Sequence, residues 1–211
     1  MSRNLKSIIF DFGNVLSVWD PQQLYQNMLG DARAVESFLH EIDFPAWNAE
    51  QDKGRPFSEG VALLSAQFPQ HAHLIRAYHE RWEESVVGAI EGTVEIVRQL
   101  AKAHYPLYIL SNFSAEKFPF MRRRYPFLQL FDDIIISGEH GLIKPDPAIY
   151  HLTLRRIRRA APDCVFIDDS LPNLETARRL GFETIHYQSP PQLRGELRAL
   201  GILAGPNQVA G

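Results

Sequence analysis

The feature that most limits what this chain can become is one carboxylate at the end of an apolar run. Ile8-Ile9-Phe10 leads straight into Asp11, and Gly13-Asn14 follows as a turn. A short apolar run closed by turn formers reads as a fully buried strand of a parallel sheet. Asp11 then falls at the strand's carboxyl end, the edge at which open α/β sheets keep their ligand sites. A carboxylate beside an apolar core needs a partner or a task.

From Glu91 onward strand and helix signals alternate, which predicts βαβ units on a parallel sheet. Thr93 reads as the cap of a helix carrying Val94, Val97 and Leu100, and Pro106–Leu110 as a strand ending in Ser111-Asn112. Ser114 is a weaker helix start, with Pro119 early in it, and Phe131–Ser137 is the next strand. Asp146-Pro147, an N-cap with proline at the first helical position, opens a helix over Ala148–Arg159. Cys164–Ile167 is a strand running into Asp168-Asp169, and Ser170 and Gly181 bracket a helix. Glu183–Tyr187 is a last strand, Ser189-Pro190 opens a final helix, and Pro206–Gly211 reads as a loose tail.

Residues 20–86 show helical periodicity and no strand pattern. Asp31 caps a helix to Ile42, Ser58 caps a second to Phe68, and His71–Val86 reads as a third. Phe44–Arg55 reads as an aromatic, turn-rich connection. The expected fold class is therefore α/β: a Rossmann-like parallel sheet with helices on both faces, built from residues 1–18 and 87–211. An α-helical cap is inserted over 19–86, with hinges near Ser17–Asp20 and Val86–Gly88.

Composition excludes several partners. With 22 Lys and Arg against 25 Asp and Glu the net charge is -3, so no global field draws the chain to nucleic acid or an anionic membrane. The arginine runs Arg122–Arg124 and Arg155–Arg159 read as solvated helix faces. One cysteine excludes an internal disulfide framework and suits a reducing compartment. Arg3 and Lys6 precede an apolar run too short for a signal peptide, and nothing approaches a membrane span. The expectation is a cytoplasmic protein. His71-Ala72-His73 lacks a third ligand at finger-like spacing and reads as a helix start.

Parallel strands bring four strand ends to one edge: Asp11, Ser111-Asn112, the loop holding Lys144-Pro145, and Asp168-Asp169. Three carboxylates there repel one another by about 4 kcal/mol per close pair at an effective dielectric near 20. Cations must intervene. Lys144 is one, and a hard divalent ion with oxygen ligands, Mg²⁺ above all, is the natural second.

These residues resemble the haloacid dehalogenase superfamily, specifically its phosphatases with a helical cap between the first two motifs. The motifs are Asp11 in Phe10-Asp11-Phe12-Gly13-Asn14-Val15, Ser111-Asn112 after Tyr108-Ile109-Leu110, Lys144 before Pro145-Asp146-Pro147, and Asp168-Asp169-Ser170 with Asn173 following. The resemblance implies that Asp11 is the nucleophile and, with Lys144, the catalytic pair. It implies that Ser111, Asn112, Lys144 and Asn14 hold the phosphate of a small-molecule substrate. It implies that Asp11, the Gly13 carbonyl, Asp169 and Asp168 hold Mg²⁺.

One departure stands out. In most such phosphatases the position two after the nucleophile is a second Asp, the general acid/base, whereas here it is Gly13. General acid–base help is worth roughly 10²- to 10⁴-fold, so its loss weakens catalysis without abolishing it. Esters with good leaving groups, such as anomeric sugar phosphates, lose least. The Asp-x-Gly-Asn-Val form is similar to a branch with glucose-1-phosphate phosphatase and the phosphatase-like domain of epoxide hydrolases. A cap acid such as Glu50 or Asp52 is a candidate replacement. Two other readings stay open: a metal-independent 2-haloacid dehalogenase, disfavoured by Asp168-Asp169, and a degenerate binding protein. Trp47, Asn48 and Arg55 read as ordinary cap core and surface.

Overall fold

The computed structural model describes residues 6–204. The expected loose tail at Pro206–Gly211 lies outside the described residues, as does Arg3. Strand β1 (Ser7–Phe10) is buried at every position. After a tight turn the chain forms β2 (Ser17–Trp19), which pairs antiparallel with β3 (Val86–Ala89). Between them lie five helices: α1 (Pro21–Leu29), α2 (Ala32–Glu41), α3 (Phe44–Asp52), α4 (Phe57–Gln67) and α5 (Ala72–Glu80). There follow α6 (Glu91–Lys102), β4 (Leu107–Ser111), α7 (Phe118–Arg124), β5 (Asp133–Ile136) and α8 (Pro147–Ile157). The chain closes with β6 (Cys164–Asp168), α9 (Leu171–Arg179), β7 (Glu183–His186) and α10 (Pro190–Ala199).

The main sheet has five parallel strands in the order β5-β4-β1-β6-β7. Its period-two alternation sorts the core into two layers. Ile8 and Phe10 share one face with their neighbours Leu107, Ile109, Val165 and Ile167, under α6, α7, α10 and the helical segment. Ile9, Leu110 and Phe166 share the other with Ile149 and Tyr150 of α8 and Leu174 and Ala177 of α9. Helices thus cover both faces. Burying each of these large side chains contributes roughly 1.5–3 kcal/mol. The chain builds outward from β1 on one side, then crosses to the other. That reversal opens a crevice at the carboxyl ends of the strands. No helix among the described residues is long and apolar enough to cross a membrane.

Several local expectations need correction. The stretch Phe44–Asp52 is a helix, not a connection: Phe44, Trp47 and Gln51 recur on its buried face. Pro21–Leu29 is a helix too, capped by the Asp20 carboxylate on the Gln22 N–H. His71–Val86 is not one helix but two short 3-10 turns around α5, followed by β3, whose pairing with β2 takes over its last residues. Thr93 does not cap α6; it lies inside the helix, buried, its hydroxyl 2.8 Å from that of Tyr187. Helix α4 starts at Phe57 rather than from a Ser58 cap, and Glu116 accepts the Phe57 N–H at 3.0 Å. Ser114 shapes a turn before α7, and Pro119 takes that helix's first turn. The caps at Asp31, Asp146 and Ser189 are all present.

Candidate active site

At the sheet's carboxyl edge, Asp11 follows β1 and continues the ladder through its N–H to the Ile167 carbonyl at 2.8 Å. Its Oδ1 accepts the Phe12 N–H at 2.7 Å and lies 2.9 Å from Lys144 Nζ. Neither contact uses Oδ2. Lys144 is itself buried, at 3% exposure, and its Nζ also lies 2.7 Å from Asp168 Oδ2 and 3.1 Å from the Leu110 carbonyl. Its ammonium thus donates to Asp168 and to the Leu110 carbonyl and forms an ion pair with Asp11.

Asp168 is fully buried. Its Oδ1 accepts from the Ser170 N–H at 2.8 Å and from Asn173 Nδ2, which reaches both oxygens at 3.1 Å. With Lys144 on Oδ2 the four lone-pair directions of this carboxylate are filled. Asp169, the neighbour, is exposed. One oxygen from each of Asp11, Asp168 and Asp169 lies within 4.8 Å of the others, a spacing a metal ion can bridge.

The electrostatics follow from burial. Removal from water pushes the Asp11 carboxyl up to about 7, with Lys144 pulling it down and Asp168 pushing it further up. Burial by itself lowers the Lys144 ammonium, but Asp11 and Asp168 more than reverse that and hold it above its ordinary value. Partial desolvation of its carboxyl and the Asp168 charge raise Asp169, although the residue as a whole is exposed. A single lysine therefore faces more negative charge than it neutralises.

Of the other residues expected here, Asn112 is present in an unexpected role. Its side-chain amide binds the backbone of Lys144, Nδ2 to the carbonyl at 2.9 Å and Oδ1 from the N–H at 2.8 Å. Ser111 ends β4 fully buried, its hydroxyl 3.5 Å from the Asn112 carbonyl. Asn14 is not brought to the site: it is exposed, its Oδ1 accepts the Trp19 N–H at 3.2 Å, and it is not among the cleft-lining residues. Its φ of 54° is a left-handed conformation that asparagine tolerates in turns, which accounts for the residue without a ligand.

A cleft of about 820 Å³ opens over Asp11, Asn112, Lys144 and Asn173. Its far wall is the helical segment, through Phe44, Asn48 and Asp52 among others. A smaller cavity of about 80 Å³ adjoins it between Gly13 and Asp52. Asp52 lines both spaces, whereas Glu50 is exposed and lines neither. Trp47 is buried and donates to the Gly60 carbonyl at 3.0 Å, and Arg55 donates to Gln51 at 2.6 Å, so both brace the helical segment internally. Two contributors escaped the sequence reading. Asn48 faces the cleft rather than the segment's interior, and Ser137 ties Asp52 to the sheet side through its hydroxyl. No spacing rule marks a residue whose partner lies in a distant segment.

Comparison with known proteins agrees with this geometry. Residues 5–181 match the model of the haloacid dehalogenase-like hydrolases. The chain is 27% identical over 209 residues to a sesquiterpene phosphatase of Aspergillus oryzae, covering 95% of this chain and 98% of that one. It is 31% identical over 205 residues to a drimenol cyclase of Aspergillus calidoustus, covering 92% of this chain but only 36% of the cyclase. A HAD family enzyme from Bacteroides thetaiotaomicron, solved with magnesium and inorganic phosphate, superposes with a TM-score of 0.69 at 22% identity. That overlap covers 88% of this chain and 95% of the other and shows the shared fold. The match over most of its length, on a sheet that gathers these carboxylates at one edge, establishes that the chain belongs to the haloacid dehalogenase-like hydrolase family.

Proposed function

We propose that the chain is a Mg²⁺-dependent phosphatase that hydrolyses a small organic phosphate monoester through an aspartyl-phosphate on Asp11. The observation that carries this reading is the unbalanced charge: three carboxylates within 4.8 Å and one lysine between two of them. That oxygen-only donor set suits a hard divalent ion. Asp11, Asp169 and the Gly13 carbonyl would hold it. Asp168, already saturated, acts from just outside by fixing Lys144. When bound, Mg²⁺ supplies positive charge to the phosphoryl oxygens.

The chain's own groups do the rest. Phosphoryl transfer needs positioning and charge more than covalent assistance. The Phe12 N–H and Lys144 hold Asp11 Oδ1 and leave Oδ2 to attack phosphorus as the ester P–O bond breaks. Water then attacks the phosphorus of the acyl phosphate, releasing inorganic phosphate and free Asp11. Lys144 contributes charge. The helical segment serves as the cap that keeps bulk water from the acyl phosphate.

The cleft walls favour an ester with an apolar body. Trp19, Leu39, Phe44, Pro45, Ile143 and Pro172 line it, interleaved with the polar side chains of Gln22, His40, Asn48 and Asp52. The name of the sesquiterpene phosphatase relative points the same way. The test is phosphate release from alkyl, prenyl, aryl and sugar monophosphates with Mg²⁺, with EDTA, and with Asp11→Asn. The reading expects Mg²⁺-dependent release, lost in the variant, with kcat/KM highest on the apolar esters.

A further inference from the structure

We propose that Asp52 protonates the leaving ester oxygen and then takes the proton of the attacking water, the task that Gly13 cannot perform. This rests on the phosphatase reading above. The position carries the argument. A Cβ built on Gly13 meets nothing within 4 Å, so the space a side chain there would use is open. Gly13 and Asp52 both line the cavity of about 80 Å³. Asp52 also borders the larger cleft that contains Asp11. A carboxyl carried by the helical segment therefore reaches the region left empty on the sheet side.

The carboxyl is also held in place, as a proton-transfer group must be. Asn48 Nδ2 donates to Asp52 Oδ2 at 3.0 Å, and the Tyr78 hydroxyl donates to Asn48 Oδ1 at 3.2 Å. Its backbone is fixed from the sheet side, where the Ser137 hydroxyl donates to the Asp52 carbonyl and accepts the Phe113 N–H. Two residues on, Gly54 has a φ of 111°, and a Cβ there would come within 2.9 Å of the Gly138 carbonyl oxygen. The end of α3 thus abuts the core too closely for a side chain.

Burial raises the Asp52 carboxyl to about 7, a backbone group of Ser114 opposing and the Asp11 charge adding to the rise. The titratable groups around it are Asp11 after β1 and Tyr78 of α5, with His40 of α2 and Lys144 on the same cleft. A group with that value is protonated often enough to act as an acid and ionised often enough to act as a base near neutrality. The step balances. Asp11 Oδ2 forms a bond to phosphorus, the P–O ester bond breaks, and the alkoxide leaves with the Asp52 proton. In the second half Asp52 removes one proton from water as its oxygen bonds to phosphorus, and the P–O bond to Asp11 breaks.

The test compares two esters on one preparation of the full chain with Mg²⁺. A nitrophenyl phosphate releases a leaving group stable without a proton, whereas an alkyl phosphate does not. D52N should lower kcat/KM on the alkyl ester by about 10²- to 10³-fold and on the nitrophenyl ester by less than about threefold. The alkaline limb of the alkyl-ester profile should vanish with it. A folding defect lowers both esters alike, and D52S serves as the second removal variant. If both variants reduce the two esters equally, or neither, the role of Asp52 is refuted while the phosphatase stands. If the wild-type chain releases phosphate from no ester, both readings fall.

Discussion

The side chain of Asn112 grips the backbone of Lys144 at both polar atoms, accepting from its N–H at 2.8 Å and donating to its carbonyl at 2.9 Å. The lysine's head is thereby aimed from its own main chain. Asn112→Ala leaves two buried backbone groups of Lys144 without partners, at about 1–3 kcal/mol each. Denaturant melts should show a loss in that range, and kcat/KM should fall at least tenfold. Asn112→Asp, which keeps the acceptor and loses the donor, should fall between wild type and Ala.

Lys144 lies 2.9 Å from Asp11 and 2.7 Å from Asp168. Lys144→Met removes the shared cation and leaves buried carboxylates facing one another, a change that costs about 3–5 kcal/mol. Adding Asp168→Asn should recover part of that stability without recovering activity. Urea melts of the single and double variants in EDTA check this.

Asp11 and Asp52 both rise from 3.8 to about 7 on folding without metal. The folded chain then holds protons that the unfolded chain has released, so this contribution is fully present below about pH 4 and is lost as the pH rises through 7. Thermal melts in EDTA should show Tm falling between pH 5 and pH 8. Mg²⁺ competes with those protons, so it should raise Tm more at pH 8 than at pH 5.

A Cβ added at Gly13 would meet nothing within 4 Å, and the residue has no left-handed φ to protect. Gly13→Asp should therefore fold, with Tm within a few degrees of wild type. Combined with D52N it should restore turnover of alkyl phosphates at least tenfold, measured by phosphate release.

The sheet was legible because β1, β4 and β6 are continuous apolar runs, each ending in polar residues. The same runs announced where Asp11, Asn112 and Asp168 converge. Lys144 was readable only by its company, since nothing in Lys144-Pro145 distinguishes a buried lysine from a loop one. The strands β2 and β3 were not legible: each is three or four residues long and exists through a partner far away in sequence. Helix α3 was hidden because its nine residues bury a glutamine beside Phe44 and Trp47. Asn14 serves its local turn, its Oδ1 accepting the Trp19 N–H. The amide grip of Asn112 and the reach of Asp52 depend on three-dimensional approach, which periodicity does not encode.

The most direct measurement is a crystal of the chain grown with Mg²⁺ and beryllofluoride, a mimic of the phosphoryl group on aspartate. The account predicts beryllium bonded to Asp11 Oδ2 and one Mg²⁺ shared by Asp11 and Asp169, with Asp168 still on Lys144. Beryllofluoride bound away from Asp11, or Asp11 and Asp169 with no ion between them, would contradict it.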